Sequence, residues 1–132
     1  MGPLEGIRVL DFSTLLPGPL ATLLLAEAGA EVIKIERPGR GDEMRSYAPK
    51  FGADSVNFAM LNRGKHSIAI DLKDKSAVET LMPLIESADV VVENFRPGVM
   101  DRLGLGYDAL HKINSRIIYC AMRSGKKTLW KM

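Results

Sequence analysis

The sequence predicts an α/β fold, a parallel sheet with flanking helices. Two observations carry this reading. Short apolar runs recur along the chain and alternate with stretches of helical spacing, the order expected of strands crossing over through helices. One run, Val90-Val91-Val92, is apolar without alternation, as in a strand covered on both faces.

The elements follow in order. Residues 7–11 read as a first strand. Gly18 and Pro19 suit the start of a helix running to about Ala28, and Gly29 suits its C-terminal cap. Residues 31–36 alternate strictly and read as a second strand, nearer a sheet edge. A long loop rich in Gly, Pro and charge covers residues 37–54, and residues 55–61 suggest a short helix. Residues 67–71 are the third strand. Val78, Leu81, Ile85 and Ala88 have the spacing of a buried helical stripe, with Asp74 as a candidate N-cap. An interior proline costs a helix about 3 kcal/mol, so Pro83 predicts a kink, or a helix that begins after Asp74. Residues 90–93 form the fourth strand. Short helices are expected over residues 97–102 and 107–113, and residues 117–121 are the fifth strand. Residues 124–132 are basic and without periodicity. They read either as a disordered terminus or as the end of a truncated or frame-shifted product. The expected division is an incomplete α/β domain over 1–124 and a basic tail over 125–132.

Composition removes several function classes. The net charge is +2, and Lys and Arg are interspersed with Asp and Glu, so no basic face for nucleic acid is expected. The single cysteine, Cys120, cannot form an internal disulfide. It lies in an apolar run and is expected to be a buried thiol, with no sign of an oxidising compartment. The first residues have neither a basic n-region nor an apolar h-region, and the longest apolar stretch, Leu20 to Ala26, is too short to span a bilayer. The expectation is a protein of the cytoplasm or an organelle matrix, with no membrane partner. His66 and His111 stand alone, so no metal is expected. No Ser-His-Asp or Cys-His pattern is visible. Asp11, closing the first strand, is expected to bond the adjoining backbone rather than to catalyse.

Ligands of an open parallel sheet bind beyond the carboxyl ends of its strands. Four segments should converge there: Ser13 to Gly18, Arg37 to Asp42, Leu72-Lys73, and Asn94-Phe95-Arg96. Three of them carry a cation, which suits a ligand with several phosphates. The first loop lacks both the G-x-G-x-x-G and Walker A patterns, and Pro19 removes a backbone donor. This argues against nicotinamide dinucleotides and P-loop hydrolysis. Arg37 and Arg40 read either as ligand contacts or as solvated loop charges. Phe95 reads either as a core ring or as a stacking partner for a purine.

Five motifs in order then match a known family. Gly6-Ile7-Arg8-Val9-Leu10-Asp11-Phe12 with Pro17-Gly18-Pro19, Gly29 to Gly39, Asn62 to Ile68, Val92 to Gly98, and Leu103-Gly104-Leu105-Gly106-Tyr107 are similar to the opening of the family III CoA-transferases. The similarity runs from Leu4 to about Ser124. It implies a Rossmann-like domain that binds coenzyme A as a substrate thioester, without a metal. By position it implies that Arg37 contacts the nucleotide phosphates and that Leu72 and Lys73 line the nucleotide cleft. Asn94, Phe95 and Arg96 would hold the adenosine portion, and Arg102 would assist with phosphate. Full-length members resembling this chain use an Asp beyond a Gly-rich loop as a covalent nucleophile on the acyl-CoA carbonyl. They move CoA between carboxylic acids and form homodimers. No residue of this chain matches that Asp, so the resemblance implies a truncated domain that retains much of the CoA site without turnover. A 2-methylacyl-CoA racemase branch shares the opening motifs. The long segment between Gly39 and Asn62, and Asn62-Arg63-Gly64-Lys65, resemble the transferases instead. A CoA-binding module without turnover is the non-enzymatic alternative.

Overall fold

A computed structural model describes residues 2–123 and, as backbone, 129–131. β1 (Arg8–Asp11) leads to α1 (Pro17–Glu27) and β2 (Glu31–Glu36). A 3-10 turn (Glu43–Ser46) and a ribbon of β3 (Lys50–Phe51) and β4 (Asp54–Ser55) precede α2 (Val56–Asn62) and β5 (His66–Ala69). Then come α3 (Ala77–Ser87), β6 (Val90–Glu93), α4 (Val99–Arg102), α5 (Tyr107–Ile113), β7 (Ile118–Ala121) and β8 (Leu129–Lys131).

The main sheet has the order β5-β2-β1-β6-β7-β8. β1 is parallel to β2 and β6, β2 to β5, and β6 to β7. All five strands expected from the sequence are therefore present and parallel, in a Rossmann-like order. The chain reverses its direction of sheet growth between β1 and β6, which opens a crevice above their carboxyl ends. Leu10 sits level with Ile33 on one side and Val91 on the other.

Apolar side chains cover both faces. Leu10, Phe12, Ile33, Ile35 and Val91 meet Leu81 and Ile85 of α3, Met100 of α4 and Leu110 of α5. On the opposite face Val9, Val32, Val92 and Cys120 meet Leu25 and Ala26 of α1. Cys120 is the buried thiol expected, and burial pushes its pKa up to about 11, which leaves it unreactive. The buried Asn114 amide donates to the carbonyls of Ile85 and Ala88, at 3.0 and 2.8 Å, satisfying groups that the end of α3 leaves open.

Several local expectations are corrected. α1 begins at Pro17, not at Gly18. Gly18 lies inside the first turn, where a Cβ would overlap the Ser13 side chain. α3 begins at Ala77, the later start that Pro83 offered as one alternative, and Asp74 is not its N-cap: its carboxylate caps a preceding turn by accepting from the Ser76 N–H at 2.9 Å. Pro83 stays inside that helix. β2 is second from the β5 edge, as its alternation suggested, but every residue from Val32 to Glu36 is buried, Lys34 included. The 37–54 segment is not a plain loop but folds into the 3-10 turn and the ribbon. Finally, Leu129–Lys131 of the expected tail pairs antiparallel with β7. The open edge of β7 offers unpaired N–H and C=O groups, and an extended segment satisfies them whatever its side-chain period. The rest of that tail, 125–128 and Met132, lies outside the described residues.

Gly41 sits at φ 64°, and a Cβ there would lie 2.6 Å from Glu36 Oε1. Gly41→Ala should therefore lower stability by about 1–2 kcal/mol from the left-handed backbone alone. Urea unfolding of the variant checks this; an unchanged midpoint would show that the turn can relax.

Candidate functional site

The crevice is walled by the loop after β1. Asp11, which is fully buried, accepts the Ser13 N–H at 2.8 Å and hydroxyl hydrogen bonds from Ser13 and Thr22. The Ser13 N–H contact is the backbone bond that its strand-end position suggested. Lys65 reaches Asp11 at 3.4 Å and donates to Pro19 O and Asn62 Oδ1, each at 2.9 Å. Burial, with Lys34 nearby and only partly offset by Asp11, brings the Lys65 ammonium down to about 8.

A second buried pair lies beside the first. Lys34 and Asp42 are 2.8 Å apart with side chains 1% and 0% exposed. Lys34 also donates to Ser13 O at 3.0 Å, and Asp42 accepts the Leu15 N–H at 3.2 Å. Leu15 has φ 67°, a left-handed conformation costly for a leucine. From the other side of the crevice, Asn94 accepts from Thr14 N–H at 3.0 Å and donates to Thr14 O at 2.7 Å.

The loop after β2 carries the cations. Arg37 is exposed, and its Nε donates to Gly41 O at 2.9 Å. Arg45 makes two hydrogen bonds to Glu36, at 2.8 and 2.7 Å, and lies 4.0 Å over the Phe58 ring. Arg37, Arg40, Arg45 and Lys50, with Asp42, Glu43, Ser46 and Tyr47, line an open cleft of about 640 Å³. Burial alone would raise the Glu36 carboxyl. Hydrogen bonds from Arg45, Ser67 and the Asp42 N–H outweigh it and hold Glu36 at about 2. A carboxylate with a depressed folded pKa stabilises above its unfolded value of 4.5 and loses that contribution as pH falls towards 2. The loss should approach about 3 kcal/mol and should be absent from Glu36→Gln. Acid unfolding curves of the two proteins provide the comparison.

The residues singled out from the sequence occupy distinct parts of this surface. Leu72 is half-buried against the core, and Lys73 is exposed. Phe95 also packs against the core, and its N–H donates to Glu93 Oε1 at 3.0 Å. This favours the core-ring reading of Phe95. Asn94 stands at the crevice, but its side-chain amide is taken up by Thr14. Arg96 and Arg102 are exposed; an atom added at Gly98 would lie 3.0 Å from the Arg102 guanidinium. Among the described residues, the side chains of Arg40, Lys50, Lys73, Arg96 and Arg102 have no hydrogen-bond or ion-pair partner. Arg37, Lys73, Arg96 and Arg102 thus present cations around the carboxyl edge, suited to phosphate oxygens.

Sequence reasoning missed the supporting charges. Glu93 is buried, accepts the Tyr119 hydroxyl at 2.8 Å and takes both Arg123 guanidinium nitrogens at 2.9 and 3.1 Å. Burial and this hydrogen bond push the Tyr119 phenol well above its ordinary pKa. The signal available was a charged residue closing three of the strands: Asp11 in β1, Glu36 in β2 and Glu93 in β6. Among the described residues no group of three or more His, Cys, Asp and Glu side chains could hold a metal, and no helix is long and apolar enough to cross a membrane.

Comparison with known proteins gives this geometry a family. Over 120 residues the chain is 48% identical to an acetyl-CoA:oxalate CoA-transferase of Acetobacter aceti, covering 91% of this chain and 31% of that protein. It is also 48% identical to a succinyl-CoA:glutarate CoA-transferase of Mus musculus, over 92% of this chain and 28% of that protein. The crystal structure of a CAIB/BAIF family protein from Brucella suis superposes with a TM-score of 0.84 at 38% identity, covering 91% of this chain and 33% of the other. The chain spans about 30% of the length of the curated relatives it matches. The sequence profile of CoA-transferase family III matches residues 4–125, and the chain belongs to that family.

Proposed function

We infer that this chain is the nucleotide-binding portion of an enzyme that moves coenzyme A between carboxylic acids. Its own residues bind the CoA moiety of an acyl-CoA along the crevice between β1 and β6. One observation carries this: Arg96 and Arg102 follow β6, Arg37 follows β2 and Lys73 follows β5, all four are exposed, and among the described residues only Arg37 of the four has a side-chain hydrogen bond, to Gly41 O. Arg37 and Arg102 meet the phosphates. Leu72 and Lys73 line the cleft, and the Asn94-Phe95-Arg96 segment flanks the adenosine. Asn94 does so through the backbone it clamps at Thr14.

The chain alone binds CoA without transferring it. The division into a CoA-binding unit over 1–124 and a tail over 125–132 belongs to the same reading. The acyl-CoA and acceptor acid are the substrates of the whole protein, which acts as a homodimer in the cytoplasm or an organelle matrix. Support comes from the family and from relatives named for exchange between acyl-CoA and oxalate or glutarate. Calorimetric titration of CoA into the chain tests the binding, and a thioester assay with oxalate or succinate as acceptor tests the exchange. Saturable CoA binding with no exchange is expected. Absence of binding at millimolar CoA would overturn the assignment.

A further inference from the structure

Taking only its ligand from the coenzyme A reading, we propose that Asp42 is a positioning residue. It ties the loop that carries Arg37 to the loop after β1 and holds Leu15 in the conformation from which the crevice wall is built. Asp42 is buried while Arg40 and Glu43 beside it are exposed. Its carboxylate accepts the Met44 N–H at 3.0 Å in its own loop and the Leu15 N–H at 3.2 Å in the other. Its second oxygen takes the Lys34 ammonium at 2.8 Å, and Lys34 continues to Ser13 O at 3.0 Å. The Asp42 N–H donates to Glu36 Oε1 at 2.8 Å, and Arg37 donates to the neighbouring Gly41 carbonyl at 2.9 Å. A continuous set of contacts therefore runs from Arg37 to Leu15.

The far end of that set is the unusual one. Leu15, at φ 67°, is the one residue other than glycine with positive φ among the described residues. A turn that needed this backbone only to reverse the chain would be met by glycine, which adopts it freely. Here a leucine adopts it, and side chains from two neighbouring segments hold the backbone on each side: Asp42 at the Leu15 N–H, and Asn94 at Thr14. Strain held by surrounding structure at a binding crevice is a mark of preorganisation. Release of the Asp42 anchor lets Leu15 return to negative φ, and the wall moves.

Asp42→Asn keeps the shape and removes the charge that binds Lys34 and the Leu15 N–H. It should weaken CoA binding about tenfold and speed hydrogen exchange at the Leu15 amide by a similar factor. Leu15→Gly allows the left-handed backbone without an anchor, so Asp42→Asn/Leu15→Gly should recover most of the affinity. Glycine at a positive φ also relieves strain in the parent, so Leu15→Gly alone is measured beside the double variant; a purely structural Asp42 would make the affinity change on adding Leu15→Gly the same in both backgrounds. If Asp42→Asn does not fold, Lys34→Met/Asp42→Asn removes both buried charges and is compared with and without Leu15→Gly. Unchanged affinity in the charge-removed protein, or a loss that Leu15→Gly leaves in place, overturns the proposal. So does unchanged exchange at Leu15. The exchange measurement needs no ligand. A chain that binds no CoA but whose Leu15 amide follows Asp42 loses the coenzyme A reading and keeps the tie.

Discussion

Lys34→Met is expected to be the most damaging single substitution at the site, lowering stability by about 3–5 kcal/mol, because it strands a buried carboxylate without its counter-charge. Asp42 has no solvent-exposed side-chain surface, and the two N–H donors that remain, from Leu15 and Met44, do not carry a full positive charge. Lys34 also holds Ser13 O, so the substitution leaves that carbonyl open as well. Removing both charges in Lys34→Met/Asp42→Asn should recover part of the loss, since no uncompensated ion is left in the interior. Urea unfolding of the parent, the single and the double variant measures the difference. A loss below about 1 kcal/mol in Lys34→Met, the range of exposed pairs, would mean that water reaches the pair.

Arg96→Ala and Arg37→Ala should each weaken CoA binding by about 1.5–3 kcal/mol, the range for a hydrogen bond to a charged group. The loss should shrink as salt rises, because exposed phosphate contacts are screened. The two variants are not equivalent. Arg96 has no protein partner among the described residues, so its loss reports on the ligand alone. Arg37 also holds Gly41 O, so its loss adds a loop effect that salt does not screen. Phe95→Ala should lower affinity with little salt dependence and should also lower stability, because the ring packs against the core. Titration of CoA at two salt concentrations, with unfolding measured on the same proteins, separates these effects. Unchanged affinity in both arginine variants would remove the physical basis of the site.

Five parallel strands, the helix of 107–113, a first helix ending near Ala28, and the buried Cys120 were legible in the sequence, because each follows from a local period or an apolar run that one element can satisfy. The family was legible from its motifs. The edge on which Arg37, Lys73 and Arg96 lie was legible too, since parallel topology sends every strand's carboxyl end the same way. What the sequence alone could not decide is which polar groups face each other across the edge. Lys34 is a charged residue in an alternating run, yet it is buried, because β2 has a neighbour on each side and Asp42 returns over it from six residues beyond the strand. Asn94 reads as a ligand contact, but its amide is matched to Thr14, eighty residues earlier. The pairing of 129–131 with β7 likewise depends on an open sheet edge that no local pattern encodes. By itself the sequence determined the five main strands, their parallel sense and the family. Only the tertiary structure decided which charges are buried and paired and which are left free for a ligand, because pairing is set by distances between segments far apart in the chain, and local periodicity carries no information about those distances.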